Sequence, residues 1–201
     1  MGRTSTARER LLDAACTLMR TRSYGTVGVA DICTHADVRK GSFYHYFVSK
    51  QALTLAAINQ HWASEGAQWR AILEDADHPP LDRLHLLCTA TAEKMRRDRI
   101  TDGSVHGCVF ANLALELSAQ DEEVQRRLRE IFEEQIDLIA GLLTAADAAG
   151  DIPDAGDDAA RRALARSLIA QLEGMVLFAK LRDDPDVLGD LWPHAKLLLR
   201  A

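Results

Sequence analysis

Lys40-Gly41-Ser42-Phe43-Tyr44-His45-Tyr46-Phe47, running on into Val48-Ser49-Lys50, is the stretch on which the fold turns. Phe43 and Phe47 stand four residues apart, so a helix over about 39–46 puts both on one face, where they anchor it to a core. Just upstream, Val29, Ile32 and Cys33 mark a short amphipathic helix over about 29–35, and Asp37-Val38 forms the turn between the two. Two short helices joined by a tight turn are the elements of a helix-turn-helix. The outer residues suit a polyanion. Lys40 and Lys50 bracket the second helix and reach phosphates at its two ends, and Ser42, Tyr44, His45 and Tyr46 carry donors for phosphate and base edges. Gly41 leaves room for a nucleic-acid backbone to approach.

Working outward, Leu11, Leu12, Ala15, Leu18 and Met19 recur at helical spacing over residues 7–22, and Gly25 closes that helix. Ser49 is a natural N-cap for a helix reaching about residue 75, where Asp77-His78-Pro79-Pro80 ends it. Longer helices are expected over about 81–98, 106–118, 121–149, 157–183 and 187–199, separated by turn-rich segments at 101–104, 150–156 and 183–185. The prediction is an all-α chain: a three-helix helix-turn-helix module over residues 1–48 and a helical body over 49–201.

Charge supports that division. Of 201 residues with net charge −6, the first 50 carry eight basic groups against four acidic ones, +4, and the remainder carries −10. A cationic end on an acidic protein suits DNA. The start, Met1-Gly2-Arg3-Thr4-Ser5-Thr6, leads into a charged amphipathic stretch, and no apolar run approaches 18 residues, which argues against a signal peptide and a membrane span. Cys16, Cys33, Cys88 and Cys108 show no paired spacing, so neither a zinc ribbon nor a disulfide framework is expected, and a reduced cytoplasm is the natural compartment. His78, His85 and His194 are scattered, and no metal site or cofactor is read from the sequence.

Together with Leu11-Leu12-Asp13-Ala14-Ala15 and Asp31-Ile32, the 40–50 stretch resembles the DNA-binding domain of the tetracycline-repressor (TetR) family over about residues 6–58. The resemblance implies a dimeric regulator that binds operator DNA through the first three helices, senses a small molecule in the body, and typically represses a neighbouring gene until that molecule binds. Carried over residue by residue, Lys40, Gly41, Ser42, Tyr44, His45 and Lys50 match DNA-contacting positions, with Tyr46 a further candidate. The chain departs from the family at three places. Val27-Gly28 stands where Thr or Ser often caps the second helix, Asp37 replaces the usual turn glycine, and Arg39 replaces a serine and adds a phosphate contact.

A narrower resemblance covers His106-Gly107-Cys108-Val109-Phe110-Ala111-Asn112-Leu113-Ala114-Leu115-Glu116-Leu117, which is similar to the sixth helix of the electrophile- and N-ethylmaleimide-responsive subgroup. Cys108 at a helix start lies at the positive end of the helix dipole, which favours its thiolate. His106 would assist, and Lys180 falls where that subgroup places a lysine. Packing as a small apolar filler is the other reading of Cys108. The family's effector cavity implies His61, Trp62, Trp69, Met95, Phe110, Asn112, Glu116, Glu173 and Phe178 as lining residues. Its four-helix dimer interface implies that the stripes Leu164, Leu168, Leu172, Met175, Val176 and Leu188, Leu191, Leu197, Leu198 on the last two helices pair with a second subunit. A thiol-dependent enzyme using Cys108 and a helical interaction protein are the competing classes; neither requires the Lys40–Lys50 run, so the expected protein is a regulator and not an enzyme.

Overall fold

Thr6 begins the first helix with a reciprocal cap: its hydroxyl accepts from the Glu9 amide at 3.2 Å, and the Glu9 carboxylate accepts from the Thr6 amide at 2.7 Å. This computed structural model describes residues 6–153 and 156–200. The readings placed on the first five residues and on Asp154-Ala155, at the centre of the 150–156 loop, lie outside the described residues.

The described residues form nine α-helices and two 3₁₀ turns: α1 (Ala7–Thr21), a turn over Tyr24–Thr26, α2 (Val29–His35), α3 (Lys40–Tyr46), α4 (Lys50–Leu73), α5 (Pro80–Asp102), α6 (Val109–Leu117), α7 (Glu122–Ala149), α8 (Asp158–Arg182), a turn over Pro185–Asp190, and α9 (Leu191–Leu199). Three boundaries correct the sequence reading. α5 runs past its expected end near residue 98, takes in Thr101 and Asp102, and stops at Gly103, whose φ of +79 continues no right-handed helix. The sixth helix starts at Val109, so His106, Gly107 and Cys108 precede it. The expected last helix is split, with a 3₁₀ turn over Pro185–Asp190 before α9.

The chain divides into two compact units: residues up to Ser64 with Val109–Arg129, and Glu65–Cys108 with the residues from Glu130 onward. In the first, α1 packs against α2, α3 and α6. Leu11, Leu12, Ala15, Leu18, Ile32, Phe43, Leu53 and Leu113 are buried there. In the second, α8 packs against α9 and α5 against the turn before α9, around a core that includes Leu87, Ile139, Leu143, Leu168, Leu172 and Leu191. The apolar stripe of the last two helices therefore separates. Leu168, Leu172, Val176, Leu188 and Leu191 are core, Leu164 and Met175 pack partly buried against it, and Leu197 and Leu198 are exposed, as are Leu177, Phe178 and Leu181 outside the stripe. Among the described residues no helix is long and apolar enough to cross a membrane, and no His/Cys/Asp/Glu group could hold a metal ion.

The turn between α2 and α3 is built as its composition requires. Asp37 has φ +50, a left-handed conformation that aspartate tolerates and branched residues do not. Arg10 of α1 donates to the Asp37 carbonyl at 3.1 Å and lies 3.6 Å from its carboxylate, pinning the turn to the first helix. Asp37→Gly should leave stability within about 0.5 kcal/mol of wild type, whereas Asp37→Val should cost about 1–3 kcal/mol, read from chemical denaturation. Equal effects of the two would remove the turn's conformational demand from the account.

Candidate nucleic-acid interface and effector residues

α3 has two faces that the sequence separates cleanly. Phe43 is fully buried and Phe47 nearly so, their rings 6.0 Å apart, while Lys40, Gly41, Tyr44, His45 and Tyr46 are exposed and Ser42 is half-buried. Tyr44 and Tyr46 are 53% and 41% exposed, too much for rings that serve only a core. Tyr44 stands edge-on to Phe43 and Tyr46 edge-on to His45, which fixes a row of polar-tipped rings along the outer face. Arg39 forms the N-terminal cap position and is exposed beside Lys40.

Supporting contacts hold this face. Gly28, with no side chain to cap α2, has its amide covered by the Asp31 carboxylate at 2.8 Å, so one half of the cap survives the loss of the usual hydroxyl. Ser49 accepts from the Ala52 amide at 3.0 Å and starts α4, as its position suggested. Lys50 is not the free cation expected. Its ammonium donates to the Tyr24 carbonyl at 2.5 Å and sits 3.6 Å over the Tyr24 ring, and burial pushes its pKa down.

The residues implied for an effector site fall in both units. In the first, the Phe110 ring meets His61 at 5.3 Å and Trp62 at 5.9 Å between centroids, and Asn112 is half-buried on the same helix. Glu116 has a structural duty, accepting from the Ser23 hydroxyl at 2.6 Å and so tying α6 to the turn that follows α1. In the second unit, Trp69 and Met95 are core and Phe178 is half exposed. Gly107 has φ +78, and a Cβ there would lie 3.1 Å from the Lys180 side chain, so the aliphatic stem of Lys180 packs on the glycine. His106 is buried, with Nε2 3.2 Å from the Asp102 carboxylate.

Cys108, half-buried, hydrogen-bonds to Glu173 on α8. Burial, opposed by that bond and reinforced by Glu65, pushes the Glu173 carboxyl up to about 7. The other thiols are placed for packing. Burial raises Cys16 and Cys88 to about 11, Cys33 is also raised, and Cys16 donates to the Ala57 carbonyl at 3.6 Å. The Cys108–Glu173 pairing, between residues far apart in sequence, left no trace in periodicity or motif.

A short helix with a buried aromatic face and an outer face of cations and polar rings, set on two further helices ahead of a larger helical body, defines a helix-turn-helix DNA-binding regulator. Residues 11–57 match the model for bacterial regulatory proteins of the tetR family, and residues 80–195 match the tetracyclin repressor-like C-terminal domain. The chain is 32% identical to the transcriptional regulator AcuR of Cereibacter sphaeroides over 92% of its own length and 81% of that protein's. A crystal structure of a regulatory protein TetR from Rhodobacter sphaeroides superposes with a TM-score of 0.85 at 31% identity, covering 98% of each chain. The reduced form of Escherichia coli NemR superposes with a TM-score of 0.81 at 25% identity, over 96% of this chain and 97% of that one. The chain belongs to the TetR family of transcriptional regulators.

Proposed function

We propose that this regulator is a cytoplasmic repressor that binds a near-palindromic operator as a homodimer and leaves it when a small molecule enters the body or Cys108 is modified. The observation that carries the reading is the division of α3, with Phe43 and Phe47 inside and Lys40, Gly41, Tyr44, His45 and Tyr46 outside. Residues 1–48 are the DNA-reading portion, and Arg39, Lys40, Gly41, Ser42, Tyr44, His45 and Tyr46 are its contacts. Lys50 reaches a phosphate by leaving the Tyr24 carbonyl, so its share is smaller than that of Lys40. One recognition helix reads few bases, and two-fold pairing places a second copy about 34–36 Å away in a successive major groove. The exposed apolar residues Leu177, Phe178, Leu181, Leu197 and Leu198 supply the pairing surface. The protein regulates and does not turn over a substrate.

Lys40→Ala should weaken binding to all DNA sequences alike and lower the slope of log affinity against log salt by about 1, whereas Tyr44→Ala or His45→Ala should cost about 1–3 kcal/mol and relax sequence preference. Fluorescence anisotropy over a salt series separates the two classes. A Tyr44→Ala protein with unaltered sequence preference would show that another face docks.

Modification of Cys108 as a trigger is favoured by its half-buried place just ahead of α6, while burial raises the pKa of the other three thiols. Operator release by an electrophile in wild type and not in Cys108→Ser is the expected result. Equal release from both would leave a noncovalent ligand as the trigger.

A further inference from the structure

Lys50, the cation that opens α4, is folded back onto the turn that follows α1. Its ammonium donates to the Tyr24 carbonyl at 2.5 Å, lies 3.6 Å over the Tyr24 ring, and belongs to a half-buried residue. The same carbonyl accepts from the Val27 amide at 3.2 Å, so it keeps a hydrogen bond when Lys50 departs. The turn that presents Tyr24 is itself tied down. Ser23, which begins it, donates from its hydroxyl to the Glu116 carboxylate on α6 at 2.6 Å, and the Thr26 hydroxyl donates back to the Ser23 carbonyl at 2.8 Å. All of these residues lie in the same compact unit.

We propose that Ser23 and Glu116 are positioning residues for DNA binding: they fix the Tyr24 turn beneath the Lys50 ammonium and so withhold that cation from the phosphate backbone. This rests on the reading that α3 docks on DNA, because Lys50 begins the helix that follows α3. The bond between Ser23 and Glu116 thereby sets how much of the Lys50 charge DNA receives.

Two physical arguments support the assignment. A carbonyl acceptor and an aromatic face both favour the docked ammonium, and Glu116 and Asp31 add electrostatic attraction. A phosphate has to displace these contacts, so a lysine held this way contributes less to binding than an exposed one such as Lys40. Departure of Lys50 also costs the turn little, since the Tyr24 carbonyl retains the Val27 amide and no acceptor is orphaned. The cation can therefore be held or released without unmaking the turn.

The test measures anisotropy of a labelled random-sequence duplex with the full-length protein, from about 50 to about 200 mM salt. Ser23→Ala removes the bond to Glu116 and leaves the protein's charge unchanged. It should steepen the slope of log affinity against log salt by about 1, so that affinity falls about 3-fold further than wild type's across that range. Lys50→Ala should lower the wild-type slope by clearly less than the loss of about 1 expected for Lys40→Ala, and should cancel the added slope when placed in the Ser23→Ala protein. Ser23→Thr, which keeps the hydroxyl, should behave as wild type. A merely structural role for Ser23 would produce no increase in slope that depends on Lys50. A Lys50→Ala protein that loses as much slope as Lys40→Ala overturns the proposal, and that comparison holds even if Ser23→Ala folds poorly. A folded Ser23→Ala protein with the wild-type slope overturns it as well. If Lys40→Ala leaves the slope unchanged, the reading of α3 on which the proposal rests is contradicted. A normal Lys40 effect without coupling between Ser23 and Lys50 overturns this proposal alone.

Discussion

Phe43→Ala should destabilise the DNA-binding module by about 3–5 kcal/mol and abolish operator binding. Phe43 is fully buried, touches Phe47 at 6.0 Å and Tyr44 at 5.1 Å between ring centroids, and belongs to the helix that carries the reading face. Truncation removes the transfer free energy of a whole ring and leaves a cavity that a seven-residue helix has little means of closing. Denaturant unfolding followed by helical circular dichroism measures the loss. Phe43→Leu, which refills much of the volume, should retain binding with a smaller penalty. A Phe43→Ala protein of wild-type stability would mean that α3 is not anchored through this residue.

Glu173 supplies the second large effect. Its carboxyl keeps a proton to about 7 in the folded chain but releases it near the ordinary 4.5 when unfolded. The folded state therefore binds more protons between these values, and stability falls as pH rises from about 4.5 to about 7, by at most about 3 kcal/mol. Glu173→Gln lacks that decline, so its advantage over wild type should grow across this window and be constant above it. Melting temperatures of both proteins at several pH values test the sign. Parallel curves would show that Glu173 ionises as freely in the folded chain as in the unfolded one.

How much of this was legible beforehand depends on the range of each interaction. Helix identities, the Ser49 cap, the left-handed Asp37 turn and the two faces of α3 follow from spacing and backbone preference, which act within a few residues. Contacts between distant residues were not legible. Lys50 reads as a cation at a helix end, yet it folds onto Tyr24 because the turn after α1 offers both a carbonyl and a ring. Glu116 reads as an effector contact, and its bond to Ser23, far away along the chain, could not be read from spacing. The leucine stripes at the chain end gave no means of separating core from surface, since Leu172 and Leu197 look alike in sequence and only packing buries the first. The start of α6 was misplaced for a local reason: Gly107 adopts φ +78, which continues no right-handed helix, and a glycine's conformation is not written in its neighbours.

The central claim is that paired copies of α3 read DNA. Hydroxyl-radical footprinting on fragments enriched from genomic DNA by the purified protein tests it most directly. Two protected half-sites related by two-fold symmetry, with centres about 34–36 Å apart along the duplex, are the predicted result, and Tyr44→Ala should blur both together. A single protected patch, or fragments enriched equally by the Tyr44→Ala protein, would contradict it.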